Sequence, residues 1–375
     1  MFSSIVLDAI SVNKANNNHH DQESAILDPA SAVAGPKPAV AGNEATGIDP
    51  MSDVLDSIRL RGALFFLWEP AAIHGVGVAD GTKLSHHIVP GTDRVISYHI
   101  VTRGTCWACV HGEPPMQLQS GDILVLPHGD AYKIADTPQF PTEADEQASI
   151  EFFKALAAGD MPPVISDAAA GADDNRLICG FLGCNTHPPN PLMASLPRMI
   201  RVPAPNNGDD PLSHLIDFAL SESGQQRGGE RCLLMRLSEV MFVEVLRRYL
   251  RVSSQPESGW LNGLRDPVVG QALGLMHKNV AAGWTLQGLA SACGASRTTL
   301  AERFQRLVGT PPMQYLTNWR MQIAALSLVE QSAKVYSVAI EVGYESEAAF
   351  SRAFKRVVGS SPSAWRAQHL HDGDS

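Results

Sequence analysis

Two rows of side chains, 50 positions apart, carry groups suited to reading base-pair edges. The first is Arg297, Thr298, Ala301, Glu302 and Gln305; the second is Glu347, Ala348, Ser351, Arg352 and Lys355. Spacings of one, three and four residues put each row on one helix face. Arg and Lys donate to guanine, Gln pairs with adenine, an acid accepts from cytosine N4, and Ala or a Thr methyl packs on a thymine methyl. Reading bases this way needs each row on a helix that enters a major groove.

The elements that would position the rows also occur twice. Ser296, Leu300, Phe304, Gly309, Pro312 and Tyr315 match Ser346, Phe350, Phe354, Gly359, Pro362 and Trp365 at a constant offset of 50. Gly294 matches Gly343 at one less, so the second turn holds one extra residue. Thr285 is a candidate N-cap for a helix from Leu286 to Cys293, and Ser296 and Ser346 cap the helices that carry the rows. Leu300, Phe304 and Leu307, and then Phe350, Phe354 and Val357, form the inward faces. Val338 and Val342 are buried ahead of the turn at Gly343 and Tyr344. A short helix, a Gly-containing turn and a Ser-capped second helix make a helix-turn-helix. An amphipathic helix from Met313 to Glu330 would hold the two units rigidly. Two units on one DNA face need their helices about 34 Å apart.

The charge balance divides to suit this reading. The chain has 375 residues and a net charge of −10. Residues 264–370 hold 11 Lys and Arg against 6 Asp and Glu, a net of +5. Residues 1–263 hold 18 against 31, a net of −13. Phosphate neutralisation needs local positive charge, so a basic DNA-reading module is carried by an acidic one.

Upstream, residues 1–50 lack periodicity and are rich in Ala, Asn, Asp, Pro and Gly, which predicts disorder. From Arg61 to about Ile178, short apolar runs alternate with turn signals at Pro90-Gly91, Gly112 to Pro115 and Ser120 to Asp122. That rhythm predicts an antiparallel sandwich or barrel. A helical insertion is expected over Glu143 to Ala158. Pro188 to Pro211 reads as a linker. Helices follow over Leu212 to Ser223 and Glu230 to Val252. In the second, Leu233, Leu237, Val240, Met241, Val245 and Leu246 form a stripe suited either to core or to a homodimer face. Six cysteines fit a reducing compartment. No apolar run spans a membrane and no secretory signal opens the chain, so a cytoplasmic protein is expected.

Cys106 and Cys109 make a CxxC on an expected strand. Three residues apart, they point to opposite faces, about 10 Å apart, beyond disulfide reach. A thiol oxidoreductase is therefore not expected. Cys179 and Cys184 flank two glycines that could bend the strand and bring the thiols together.

The pattern Ala339-x3-Gly343-Tyr344-x-Ser346-x3-Phe350-x-Arg352-x-Phe354-Lys355-x3-Gly359-x-Ser361-Pro362-x2-Trp365-Arg366 resembles the second-motif signature of the AraC/XylS family of bacterial transcription regulators. The resemblance implies seven helices over about 100 residues, two successive major grooves of promoter DNA, and RNA polymerase as a partner. Base contacts carry over onto Thr298, Ala301 and Glu302, and onto Arg352. Glu302 departs from members with Arg there, so the bases read at that position stay open.

Residues from about Asp53 to Leu196 look like the cupin-type sensor of one branch of that family. A metal-binding cupin supplies an HxH pair, a Glu and a later His. Here His99 is followed by Ile100 and Val101, and Tyr132 stands where the later His belongs. His86, His87, His99, His111 and His128 read as surface or packing histidines, so neither a metal nor another cofactor is expected. Within that branch some members sense oxidants through cysteines, and Cys179 aligns with a sensing position. The alternatives are an inert packed thiol and a small-ligand site at the mouth of the sheet lined by His99, Trp107 and Tyr132.

The expected architecture is α+β and multidomain. It has an N-terminal extension (1–50), an antiparallel β cupin-like barrel (51–196), a helical linker with a possible dimer face (197–262) and an all-α double helix-turn-helix domain (263–370). The expected function is DNA-binding transcription regulation gated by a small ligand or oxidant, without enzymatic activity. The rival is a metal-dependent cupin oxygenase or isomerase fused to a DNA-binding domain.

Overall fold

A computed structural model describes residues 49–370 apart from 59, 141–144, 168–173, 187, 205–209, 224, 226, 253–258 and 331–333. Residues 1–48, nearly all of the expected disordered extension, lie outside the described residues.

The chain begins with helix α1 (Pro50–Ile58) and then builds two sheets. The larger has six strands in the order β10 (Ile200–Val202), β6 (Ile123–Leu126), β3 (Arg94–Arg103), β9 (Arg176–Cys184), β1 (Arg61–Glu69) and β8 (Val164–Ser166). The smaller has four, ordered β2 (Val76–Val78), β7 (Tyr132–Ala135), β4 (Thr105–Val110) and β5 (Met116–Gln119). Pairing is antiparallel except for β1 and β8, which run parallel. Helix α2 (Gly81–Ile88) packs on β3, and α3 (Glu146–Ala158) lays Phe152 and Phe153 into the core between the sheets. Asp145 caps α3, its side chain accepting from Ala148 N at 2.9 Å.

Residues 188–211, read as linker, hold more structure than their Pro and Asn content signals. They contain helix α4 (Pro191–Ser195) and the edge strand β10. Ile200 and Val202 alternate with Arg201, a period too short to stand out in the sequence. Buried Asp122 pins this strand, accepting from Arg201 Nε at 2.9 Å and Ala204 N at 3.2 Å.

Period-two alternation sorts the large sheet into two apolar faces. Leu64, Phe66, Val101, Leu124, Leu177 and Phe181 face the smaller sheet. Phe65, Tyr98, Ile100, Val125, Ile178 and Leu182 face the helices α5 (Pro211–Glu222) and α6 (Glu230–Val252). Of the expected α6 stripe, Leu237, Met241, Val245 and Leu246 are buried, while Leu233 and Val240 stay exposed. Close packing against α6 and around Tyr98 of β3 requires glycine at two points. A Cβ on Gly62 would lie 2.4 Å from Met235 O, and one on Gly180 would lie 2.3 Å from the Tyr98 ring. Tyr98 O–H meets Ser238 Oγ of α6 at 3.0 Å.

After α7 (Trp260–Arg265) come α8 (Pro267–Lys278), α9 (Leu286–Ala292), α10 (Arg297–Val308), α11 (Pro312–Glu330), α12 (Val335–Glu341), α13 (Glu347–Val358) and α14 (Pro362–Leu370). They form two small cores joined by α11. Tyr315, Leu316 and Trp319 enter the first core, with Leu289, Leu300 and Phe304. Met321, Ala324 and Leu328 enter the second, with Val338, Phe350 and Trp365. Helix α11 is therefore apolar on two faces, not on the single stripe of an amphipathic helix. The first core is continuous with the core between the large sheet and α6.

Candidate nucleic-acid interface and sensor module

Three side chains cap the helix-turn-helix units. Thr285 Oγ1 accepts from Gly288 N at 3.0 Å, Ser296 Oγ from Thr299 N at 3.0 Å, and Ser346 Oγ from Ala349 N at 3.3 Å. Each satisfies a helical N–H that would otherwise lack a partner. Arg297, Thr298, Glu302 and Gln305 of α10 are exposed, and Ala301 is half-buried. Glu347, Ala348, Arg352 and Lys355 of α13 are exposed, and Ser351 is half-buried. The structure thus gathers the ten residues onto the outward faces of two helices. Gln305 also donates to Gly309 O at 2.8 Å, which steadies the helix end.

Arg320, which the sequence did not single out, braces the two units. Its Nε donates to Val280 O at 2.9 Å and one Nη to Ala282 O at 2.7 Å, in the loop before α9. The other Nη donates to Gly343 O at 3.4 Å, in the second turn. A lone Arg in the middle of an apolar helix was the available signal. Gly343 has φ +81° and packs so tightly that a Cβ would lie 2.5 Å from Ala281 O. Its counterpart Gly294 has φ +62° and open space around it.

Residues 49–251 match the family model described as Cupin, and residues 289–368 match the model described as Helix-turn-helix domain. The chain is 35% identical to an AraC-like transcription regulator of Streptomyces lividans, covering 85% of this chain and 98% of that one. The chain belongs to the AraC-like transcription regulators. The HTH-type transcriptional regulator AlkR of Acinetobacter baylyi is 27% identical over 72% of this chain and 87% of its own. RclR of Escherichia coli K12, an RCS-specific HTH-type transcriptional activator, is 24% identical over 72% of this chain and 84% of its own. This regulator therefore combines a cupin sensor module with a DNA-binding module. Among the described residues no helix is long and apolar enough to cross a membrane.

In the sensor module, His99 of β3 stands opposite Cys179 of β9. Its Nδ1 lies 3.1 Å from Cys179 Sγ, and its Nε2 hydrogen-bonds the Tyr132 hydroxyl. All three are buried between the sheets. Desolvation disfavours every charged form there. It depresses His99 to a pKa of about 3 and pushes the Cys179 thiol and the Tyr132 phenol well up. His99 is thus a neutral imidazole whose two nitrogens are both engaged.

The remaining sensing candidates lie elsewhere. Cys184 is buried on the other face of the large sheet, because β9 runs unbroken and residues five apart alternate faces. Gly180 and Gly183 serve close packing rather than a bend. Trp107 is half-buried on the face of β4 away from Cys106, Ala108 and Val110, so it does not join His99. Cys106 is buried and Cys109 half-exposed, opposed as their spacing requires.

Beside His99 and Cys179 is an apolar cavity of about 30 Å³, walled by Phe66, Trp68, Phe152 and Phe153. That volume suits about one water, not an organic effector. The other histidines do not converge on it. His86 and His87 are exposed on α2, His111 is exposed, and His128 Nε2 bonds Leu196 O at 2.8 Å. Among the described residues no group of three or more His, Cys, Asp or Glu is placed to hold a metal.

Proposed function

We propose that this regulator reads promoter DNA through α10 and α13 in successive major grooves, and that its cupin module gates that binding. The observation that carries the reading is the pair of capped helices with outward rows, braced from one side by Arg320. Thr298, Ala301 and Glu302 read one half-site and Arg352 reads the other; Lys355 and Arg297 serve the phosphates. RNA polymerase is the expected partner at the promoter, and the cytoplasm the expected compartment. The module works without chemistry of its own: the His99 nitrogens are occupied by Cys179 and Tyr132 rather than presented to a substrate. Burial and a raised pKa oppose thiolate formation at Cys179, which favours a small organic effector over an oxidant.

A second copy pairs on the outer face of α6, where Leu233 and Val240 are exposed. Sedimentation of Val240→Glu beside wild type tests this, and an unchanged mass ends it. The main reading is tested by genome-wide capture of bound DNA followed by footprinting. It requires two protected half-sites about 10 base pairs apart. Capture without a shared sequence overturns it.

A further inference from the structure

We infer that the effector site lies in the cleft between the cupin module and the first helix-turn-helix unit, and that it takes a neutral, flat, largely apolar molecule. This rests on the reading of the chain as an effector-gated regulator and deepens it.

The cleft measures about 720 Å³, within the range of small-molecule sites. The 30 Å³ cavity inside the sandwich is far smaller. One wall is the segment around α4, including Asn190, Ala194 and Leu196. The other comprises the end of α10 with Thr310 and one face of α11, including Tyr315, Asn318 and Trp319. The described lining residues are uncharged and largely apolar, which suits an uncharged ligand. Three aromatic rings, Tyr249, Tyr315 and Trp319, suit a planar apolar ligand.

Trp319 lines the cleft although it is only 4% exposed. Trp319 is also wired to both modules. Its ring stacks on His277 with centroids 4.2 Å apart, and His277 contacts Asp53 of α1 through Nδ1 and Tyr315 O–H through Nε2. A ligand bridging the walls would bias how the modules sit, and so the affinity for DNA.

The test uses Nile red, a neutral planar dye with a ring carbonyl, titrated into the full chain and followed by fluorescence. The expected result is saturable uptake of one dye per chain. Ala194→Trp, on an exposed lining position, should weaken uptake at least about tenfold by filling the cleft. Thr310→Phe, on the opposite wall, is the independent check and should act in the same direction. Lack of saturable uptake, or uptake untouched by both cleft-filling variants, overturns the site. Affinity for duplex DNA is measured on the same samples. DNA binding without dye uptake overturns the cleft alone, whereas loss of DNA binding by wild type would strike the regulator reading.

Discussion

Asp53, in the first helix of the sensor module, meets Nδ1 of His277 in the DNA-binding module at 3.2 Å. The His277 side chain is fully buried, and its other nitrogen is taken by Tyr315 O–H at 2.8 Å. Beside it, Gln322 Nε2 of α11 donates to Ser57 Oγ of α1 at 2.8 Å. Helix α1 thus belongs to the cupin module by sequence and to the module junction by contact.

Asp53→Ala should lower stability by about 1–3 kcal/mol, because it strips a partner from a buried imidazole nitrogen. Urea unfolding of the full chain measures it. A change within a few tenths of a kcal/mol would show that water replaces Asp53 without cost.

Residues 1–48 are expected from their composition to be dispensable for folding. The cut must spare Asp49, whose carboxylate accepts from Ser52 N at 3.2 Å and caps α1. A chain beginning at Asp49 should melt with the full chain. One beginning at Met51 should be less stable by about 1 kcal/mol. Equal melting of all three would remove the cap from the account.

His99 sets an acid dependence. Its folded pKa of about 3 lies below the unfolded value of 6.5, so the unfolded state binds more protons between those limits. Stability contributed by the neutral imidazole is complete above pH 6.5 and falls as pH drops toward 3. From pH 7 to pH 5 the loss should be roughly 2 kcal/mol, and His99→Gln should remove that part of the slope. Parallel slopes for the two proteins, measured by urea unfolding, would refute it.

Arg352→Ala should cost about 1–3 kcal/mol of specific binding and relax the operator at one position. Lys355→Ala should weaken all sequences alike and lower the salt slope by about 1. Anisotropy titrations at several salt concentrations separate them. A uniform loss for Arg352→Ala would reassign it to phosphate.

The two turn glycines should respond unequally. Gly294→Ala meets only its positive φ and should cost about 1 kcal/mol. Gly343→Ala meets in addition the Ala281 carbonyl at 2.5 Å and should cost clearly more. Thermal melts of the two variants compare them, and equal losses would mean the α8–α9 loop yields freely.

The sequence alone determined the DNA-binding module. Its information is local: Ser296 and Ser346 cap within one turn, Gly294 and Gly343 need their own φ, and the Leu300, Phe304, Phe350 and Phe354 spacing reports a helix face directly. The helix Glu230–Val252 was legible for the same reason. The sensor was not, because strand neighbours are far apart in the chain. Only pairing register sets His99 against Cys179, 80 residues away, and sends Cys184 and Trp107 to other faces. The parallel pairing of β8, the recruitment of β10 from an apparent linker and the two-faced burial of α11 are likewise tertiary. So is the cleft at Trp319, whose lining comes from α4 and α11, more than 100 residues apart in the chain.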